Sequence, residues 1–496
     1  MIRTIFVVVI SWTIASPSSG TADEKISPER AVDALQRAVD FFRAEVSVEG
    51  GYLWRYASDF SEREGELPAS LTTVWVQPPG TPTVGAAYLA AYELTGNRDC
   101  LDAARETAAA LVRGQLDSGG WDYRIEFAAE DRKQYAYRVD SAARSSGAVA
   151  DRRGRNVTTL DDNTTQAALS FLMRVDHGLN FEDAAIHEAA KYALRKLLAA
   201  QYPNGAWPQR FSVPADPQRF PIKPAGYPAA WSREYPKKAY RSYYTFNDNT
   251  MADVIETMFL AADIYGDTTC AEAGKRGGTF ILLAQMPEPQ PGWAQQYNAQ
   301  MHPAWARKFE PPSIAGAESQ RVMETLLRLF ELTRDRRFLE PLPRALAYFR
   351  RSQLKDGRLA RFYELETNLP LYFTKDYRMT YSDADLPTHY GFKSKSRLER
   401  IEASFQRLIA TADSEVSRVG VFQKQQQPTL TKELAGAAAK LVQTQDARGA
   451  WVEPAYFRSR SKMPAEKPSL SCGTFATNIV MLARYIAATT ANAPTD

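Results

Sequence analysis

The 496-residue sequence has little cysteine, little histidine and almost no net charge. Its three cysteines, Cys100, Cys270 and Cys472, are far apart and odd in number. That pattern leaves room for one disulfide but excludes a dense disulfide framework and a CxxC metal site. Four histidines argue against a three-histidine zinc centre. A net charge of +3 gives no support for a nucleic-acid-binding protein.

Long apolar runs are absent beyond the amino terminus, so no later stretch predicts a membrane span. The first 22 residues combine the basic Arg3, an apolar stretch from Ile5 to about Ala15, and small residues after it. This pattern is typical of a secretory signal peptide. An uncleaved anchor is the alternative, but a bilayer span needs about 20 apolar residues. We therefore expect removal of residues 1–22, a net charge of +2, and a secreted or periplasmic protein.

The sequence contains a repeat in which an apolar helical pattern ends in glutamine, followed by a turn rich in Gly, Asn, Asp or Pro, and usually a tryptophan. The glutamines of this repeat are Gln115, Gln201, Gln285, Gln353 and Gln443, and a further copy lies near Gly50. Ala and Leu at i, i+3 and i+4 spacing precede the turns, which predicts helices. The glutamines of the repeat are about 70–90 residues apart. Helix pairs that repeat at this spacing predict an all-α, toroid-like (α/α) barrel of helix hairpins, with long loops and minor β structure.

In such a ring the turns fall at one end, where loops on a rigid scaffold tend to carry function. We expect residues 23–496 to form a single domain. The Pro-rich, aromatic and basic stretch 214–240 is interpreted as a long functional loop rather than a linker. No heptad pattern predicts an oligomer, so we expect a monomer.

Two segments with an Asx-Asx-Asn-Thr pattern precede apolar helices. The first includes Asp161, Asp162 and Asn163, and the second includes Asn247, Asp248 and Asn249. A helix entrance needs only one such residue as a cap, so simple capping is one interpretation. The other is a hard cation, since Ca²⁺ takes six to eight oxygen ligands and two such segments supply several.

Cations and aromatic residues concentrate in two further segments. HPAWARKFEPPSIAGAES contains Arg307 and Lys308, and KDGRLARFYELETNLPLYFTKDYR contains Arg361 and Lys375. Surface ion pairs are one interpretation. The alternative is a site for a sugar acid, whose ring stacks on aromatic side chains and whose carboxylate pairs with arginine.

Taken together, these segments resemble the pectate lyases of polysaccharide lyase family 10. The similar stretches, in the family's order over about residues 80–380, are DDNTTQ at 161–166, NGAWPQRF at 204–211, TFNDNTM at 245–251, ARKFEPPSIAGAES at 306–319 and ARFYELETNLPLYF at 360–373. The resemblance implies a helical toroid that binds Ca²⁺ and cleaves polygalacturonate by β-elimination. Residues from about 400 to 496 lie beyond it, and their pattern predicts a helical extension.

The resemblance also implies residue roles. Asp162 corresponds to an aspartate that meets calcium and substrate, and Asp248 to a second calcium carboxylate. Arg307 corresponds to the arginine that removes the proton from substrate. Arg361 and Lys375 correspond to clamps for substrate carboxylates.

Asn163, Trp207, Asn247 and Lys308 are the remaining expected substrate contacts. Two departures from the family pattern affect these expectations. Lys375 stands where a second arginine is expected, which replaces a bidentate grip with a point charge. Tyr297-Asn298 stands where the family often has His-Asp.

Three alternatives remain open at this stage. A glycoside hydrolase on the same ring would use two carboxylates, for which Asp162 and Asp248 are candidates. A non-catalytic relative would bind acidic polysaccharide without turning it over. A terpenoid-cyclase-like barrel would need a DxDD or DDxxD run in the right setting, which the sequence lacks.

Overall fold

A computed structural model describes residues 26–141, 154–214, 216–411, 420–458 and 466–490. The predicted signal peptide lies outside these ranges. Within them, no helix is both long enough and apolar enough to span a bilayer. The described chain is mostly helical with short strands, which confirms the predicted all-α class with minor β structure.

Helices of ten residues or more dominate the described chain, and we number them in chain order. They are α1 Pro28–Phe41, α2 Thr81–Thr95, α3 Arg98–Arg113, α4 Thr164–Gly178, α5 Ala184–Ala199, α6 Thr250–Tyr265, α7 Thr268–Leu283, α8 Gly316–Thr333, α9 Leu342–Arg351, α10 Leu398–Ala410, α11 Lys432–Thr444 and α12 Cys472–Thr490.

The strands are short and connect the ends of helices. They are β1 Arg55–Ala57, β2 Arg63–Glu64, β3 Thr73–Trp75, β4 Arg124–Glu126, β5 Thr158–Thr159, β6 Arg210–Phe211, β7 Tyr244–Thr245, β8 Gln296–Tyr297, β9 Ile314–Ala315, β10 Leu359–Ala360, β11 Phe362–Tyr363, β12 Pro370–Phe373, β13 Met379–Thr380, β14 Lys393–Ser394, β15 Val452–Tyr456 and β16 Glu466–Ser471.

The helices form two concentric layers. The even-numbered helices are the inner layer, in which α12 packs on α2, α2 on α4, and α4 on α6. The odd-numbered helices lie outside, where α1 contacts both α3 and α11, and α5 contacts α3 and α7. One large core of buried apolar side chains runs through both layers. The predicted toroid of helix hairpins is therefore confirmed.

The repeated glutamine holds neighbouring hairpins together. The amide of Gln115 donates to the carbonyl of Gly119 in its own turn and to that of Ala189 in the next outer helix. Gln201 makes the same two bonds, to Gly205 and Ala273. Only a side chain with two amide hydrogens on a long stem makes both contacts.

The sixth copy of the repeat closes the ring. There the bridging residue is Gln445, which donates to Gly449 and to Ala34 in α1. The prediction of Gln443 for this copy was therefore wrong by two residues, because Gln445 makes both bonds.

In four turns of the repeat a tryptophan caps the outer helix that precedes it. The indole N–H of Trp121 donates to the carbonyl of Leu111, that of Trp207 to Leu197, and that of Trp451 to Leu441. The last carbonyls of a helix lack partners within the helix, so the indole satisfies one of them. These tryptophans are structural features of the hairpin.

Short strands place the entrances of the inner helices at one end of the ring. A strand that leads into an inner helix pairs with a strand that follows a glutamine turn, as β5 pairs with β6 and β7 with β8. The strand β16 leads into α12 and pairs with β1, so the two ends of the described chain close the ring together. The predicted clustering of the turns and helix entrances follows from this pairing.

A second, smaller hydrophobic cluster lies beside the main core. It contains Trp305, Phe309 and Phe373, and residues of the Pro-rich loop such as Trp231 and Tyr235 pack against it. The indole N–H of Trp305 donates to the carbonyl of Ser232 in that loop. The loop therefore supports the segment that carries Arg307.

Candidate active site

The helices α4 and α6 begin with the same unusual backbone. Asp162 and Asn163 have φ values of 51° and 56°, and Asp248 and Asn249 have φ values of 47° and 60°. Asp and Asn tolerate this left-handed region better than other residues that carry a side chain. The next residue is threonine in both cases, and Thr164 donates its hydroxyl to the carbonyl of Asp161.

Capping does not explain these residues. At the N-cap positions of α4 and α6, Asn163 and Asn249 make no side-chain capping hydrogen bond. The capping interpretation was therefore wrong. The side chains at the two helix entrances are available to bind a ligand instead.

Three carboxylates converge from the two helix entrances. Asp161, Asp162 and Asp248 each offer an oxygen, and these three oxygens all lie within 4.8 Å of one another. The Tyr123 hydroxyl is 3.0 Å from Asp161 Oδ2 and 3.2 Å from Asp162 Oδ2. Arg210 Nη2 donates to that hydroxyl at 3.0 Å and lies 3.5 Å from Asp161. We call Asp161, Asp162 and Asp248 the carboxylate cluster.

Two oxygens beside the cluster lack partners. Asp161 Oδ1 and Asn247 Oδ1 are buried and accept no hydrogen bond from the residues that the structure describes. The amide of Asn247 instead donates to the carboxylate of Asp248. A buried acceptor without a donor is costly, and a hard cation satisfies such oxygens. The donor set, three carboxylates and one amide oxygen, fits Ca²⁺ by its chemistry.

Burial and the closeness of the carboxylates raise the pKa values of two members of the cluster. Burial, followed by the charges of Asp161 and Asp248, raises the pKa of Asp162 to about 7. Burial and the charge of Asp161 also raise the pKa of Asp248, while Arg307 and Arg361 oppose that rise. Like charges held this close favour either a proton or a cation between them.

Arg307 faces the cluster from the loop between β8 and β9. Its Nη2 donates to Glu310 Oε1 at 2.6 Å, and its backbone N–H donates to Glu310 Oε2 at 3.1 Å. Burial alone lowers the pKa of Arg307, but the hydrogen bond and charge of the buried Glu310 outweigh it, and the net pKa lies above its ordinary value. About two-fifths of the Arg307 side chain remains exposed, at 43%.

A second guanidinium lies beside the first. Arg361 Nη2 pairs with Glu318 Oε1 at 2.6 Å, and its charge acts on Asp248. The ring of Tyr390 lies against both cations, with its centroid 4.4 Å from Arg361 Cζ and 5.5 Å from Arg307 Cζ. The charges of Arg307 and Arg361 both act on Asp248, so the carboxylates and the guanidinium groups form one polar site at the entrances of α4, α6 and α8.

The remaining predicted residues lie in different settings. Asn163 and Asn247 belong to the two helix entrances. Lys308, next to Arg307, lies over the ring of Tyr377 with Nζ 3.4 Å from its centroid. Trp207 is fully buried, so the structure places it in the core rather than on a substrate surface.

Lys375 lies in the turn after β12, where it is 66% exposed and pairs with Asp385 at 3.3 Å. The structure does not bring it to the carboxylate cluster. The Tyr297 hydroxyl is buried and donates to the carbonyl of Ala284, and Asn298 accepts backbone N–H bonds in its own turn. These two residues have structural contacts at the position where His-Asp was expected.

Sequence reasoning missed several residues of the site. Asp161 was read only as a neighbour of Asp162, although the cluster needs its oxygen. Glu310 and Tyr390 gave no signal, because a glutamate and a tyrosine in loops are common. Arg210 and Tyr123 lie in the segments NGAWPQRF and GGWDYR, whose polar residues next to tryptophan were the available hint.

Comparison with known proteins gives a family match and distant structural similarities. The family model described as pectic acid lyase matches residues 115–360, within the expected range of about 80–380. No curated protein matches the chain by sequence.

Solved structures of similar architecture share little sequence with the chain. A family 10 polysaccharide lyase from Cellvibrio cellulosa is 20% identical, with 66% of this chain and 98% of that chain covered and a TM-score of 0.44. A mutant of that lyase in complex with trigalacturonic acid is 19% identical, with coverages of 66% and 97% and a TM-score of 0.44. Cellobiose 2-epimerase from Bacillus thermoamylovorans is 12% identical, with coverages of 91% and 98% and a TM-score of 0.42.

The family match spans the two helix entrances, the Arg307 loop and the start of the segment that carries Arg361. Through residues 115–360 the chain belongs to the pectic acid lyase family, and the protein is a polysaccharide lyase.

Proposed function

We propose that the protein cleaves polygalacturonate by calcium-assisted β-elimination. The observation that carries this proposal is the convergence of oxygens of Asp161, Asp162 and Asp248 within 4.8 Å of one another, near enough to Arg307 and Arg361 for their charges to act on Asp248. A uronate polymer supplies a carboxylate for the cations, and its C5 proton becomes acidic once that carboxylate is neutralised.

The carboxylate cluster is the proposed calcium site. Asp161, Asp162 and Asp248 would hold the ion, and the unpartnered oxygen of Asn247 would complete the protein ligands. Calcium bound there would supply positive charge that stabilises the negative charge developing on the substrate. The Tyr123 hydroxyl donates to the carboxylates of Asp161 and Asp162 and would orient them, and Arg210 donates to that hydroxyl.

Arg307 is the proposed base that takes the C5 proton: the bond from C4 to the glycosidic oxygen breaks, a C4–C5 double bond forms, and the leaving oxygen takes a proton from solvent water. An ordinary guanidinium stays protonated, and here Glu310 strengthens that tendency. We therefore propose that substrate binding loosens the Arg307–Glu310 contact before the proton is taken. Catalytic hydrogen bonds commonly reach their working geometry only in the substrate complex, which supports this order of events.

Arg361 is the proposed clamp for a substrate carboxylate. It is held by Glu318 and stacked on Tyr390, so its orientation is set before substrate arrives. A planar guanidinium fixed in this way suits bidentate pairing with a carboxylate. Lys308, exposed on the same loop as Arg307, is the proposed second cation for the polymer.

The geometry disfavours a glycoside hydrolase. Hydrolase carboxyl groups flank the scissile bond at separations of about 5 to 9.5 Å. The oxygens of Asp162 and Asp248 lie closer than that and share the space with Asp161. Crowded carboxylates suit a cation better than an acid–base pair.

A chelator-controlled assay tests the proposal. The protein is incubated with polygalacturonate, and ultraviolet absorbance of the unsaturated product is followed with calcium or with a chelator. We expect absorbance that depends on calcium, and loss of it in Asp248→Ala and Arg307→Ala. New reducing ends without absorbance would indicate hydrolysis, and binding to polygalacturonate without either product would indicate a non-catalytic relative.

Export and domain organisation complete the proposal. The amino-terminal pattern of residues 1–22 supports export, and a polymeric substrate would be met outside the cytoplasm. The pairing of β1 with β16 supports residues 23–496 acting as one catalytic domain. Mass spectrometry of the exported protein tests the cleavage site.

A further inference from the structure

Tyr390 lies beyond residue 360, where the family match ends, yet it contacts the centre of the site. It belongs to the connection between β13 and β14. Its hydroxyl donates to Glu310 Oε1 at 2.9 Å. The same oxygen accepts Arg307 Nη2 at 2.6 Å. One carboxylate oxygen is therefore shared between a guanidinium and a phenol.

The ring of Tyr390 is held on several sides. It packs against Phe309 with centroids 4.6 Å apart and against Phe392 with centroids 5.2 Å apart. Its centroid lies 4.4 Å from Arg361 Cζ. The ring thus contacts both guanidinium groups, with its centroid within 5.5 Å of the Cζ atoms of Arg307 and Arg361.

The shared oxygen gives Tyr390 an influence on Arg307. Each donor to a carboxylate oxygen reduces the negative charge available to the other donors. The hydroxyl of Tyr390 therefore weakens the hold of Glu310 on Arg307. Without it, Glu310 would bind the guanidinium more tightly and release it less readily.

We propose that Tyr390 is a positioning residue for the lyase reaction: its hydroxyl moderates the Glu310–Arg307 contact, and its ring packs against both guanidinium groups. The inference rests on the proposed role of Arg307 as base. It assigns a role in the reaction to a segment outside the matched family region.

The matched control is Tyr381, which lies in the same connection. Its hydroxyl also contacts a buried glutamate, at 3.0 Å from both oxygens of Glu364, and Glu364 pairs with Arg233. Tyr390→Phe and Tyr381→Phe therefore remove the same kind of hydrogen bond from two different arginine–glutamate pairs.

The first measurement is independent of turnover. Phenylglyoxal adds to the neutral form of arginine, so its rate at Arg307, followed by mass spectrometry, reports how readily that guanidinium loses a proton. We expect Tyr390→Phe to slow modification of Arg307 by about three- to tenfold, the effect of one hydrogen bond. Tyr381→Phe should leave the rate at Arg307 unchanged. An unchanged or faster rate in Tyr390→Phe would overturn the proposal.

The second measurement uses polygalacturonate cleavage with calcium. We expect Tyr390→Phe to lower kcat by about three- to tenfold with KM within twofold, and to move the pH–rate profile to higher pH. Tyr381→Phe should retain the wild-type profile. A wild-type protein without lyase activity refutes the proposed function, while the phenylglyoxal rates still decide the role of Tyr390. Equal kcat and equal profiles for wild type and Tyr390→Phe refute the positioning role alone.

Discussion

Asp248→Asn separates a cation ligand from a helix cap. Asparagine and aspartate cap helices about equally well, so a capping residue would tolerate the change. In the carboxylate cluster the same change removes one of three negative charges while leaving the shape nearly unaltered. The two roles therefore predict different results from one substitution.

The magnitude follows from the spacing of the cluster. The Asp248 carboxylate and a unit of positive charge on a cation about 4 Å away would attract each other by about 4 kcal/mol at an effective dielectric constant of about 20. Asp248→Asn removes this attraction. The amide oxygen and water replace part of the lost interaction. We expect a net loss of about 2–3 kcal/mol, or roughly 30- to 150-fold weaker calcium binding.

Asp248→Asn should weaken calcium binding but stabilise the calcium-free protein. Burial and Asp161 raise the pKa of Asp248, so its ionised form destabilises the folded state near neutral pH. Asp248→Asn removes that charge and should raise the melting temperature measured in chelator. Calcium should then raise the melting temperature of the variant less than that of the wild type.

Isothermal titration calorimetry with calcium and thermal unfolding in chelator measure the two effects. Asp253→Asn is the matched control, because Asp253 is a half-buried aspartate of α6 outside the cluster, and burial raises its pKa to about 7. Its calcium affinity should equal that of the wild type. Wild-type calcium affinity in Asp248→Asn would refute the cation site.

Four further predictions follow from individual residues of the site and the core. Because the folded pKa of Asp162 is raised to about 7, calcium must displace a proton below that pH, so calcium affinity measured by calorimetry should rise between pH 6 and pH 8. By the same sign, the unfolding free energy of the calcium-free protein should fall as pH rises through about 7. Trp207→Phe removes a cap on a buried carbonyl and should lower the unfolding free energy by about 1–3 kcal/mol in urea while KM stays unchanged. Arg361→Ala should reduce kcat/KM for polygalacturonate by at least tenfold, whereas Lys375→Ala, at an exposed ion pair, should stay within about twofold.

The fold was predictable because its determinants are local and repeated. The turn between α2 and α3 is one example: Gly96 is left-handed with φ of 70°, and Asn97 caps α3, which are the positions that glycine and asparagine favour. The glutamine and tryptophan recur because each hairpin needs the same bridge and the same cap. What the repeat did not show was which glutamine of QTQ made the bridge, since both fit the pattern.

The site was predictable only where a motif departed from what folding requires. Two consecutive Asx residues exceeded the need for a cap, and that excess pointed to Asp162 and Asp248. Glu310 and Tyr390 could not be found in this way. Their role depends on contacts between loops about 80 residues apart, and such contacts leave no periodic signal.

The closure of the ring has a consequence for synthesis. Phe42 at the end of α1 stacks on Phe475 in α12 with centroids 3.6 Å apart, and Arg55–Ala57 pairs with Ser469–Ser471. These partners are separated by more than 400 positions, so a chain made from its amino end carries its first helix for most of translation before the last one emerges. The nascent chain therefore leaves an apolar surface uncovered until late, which is the state that holding chaperones bind.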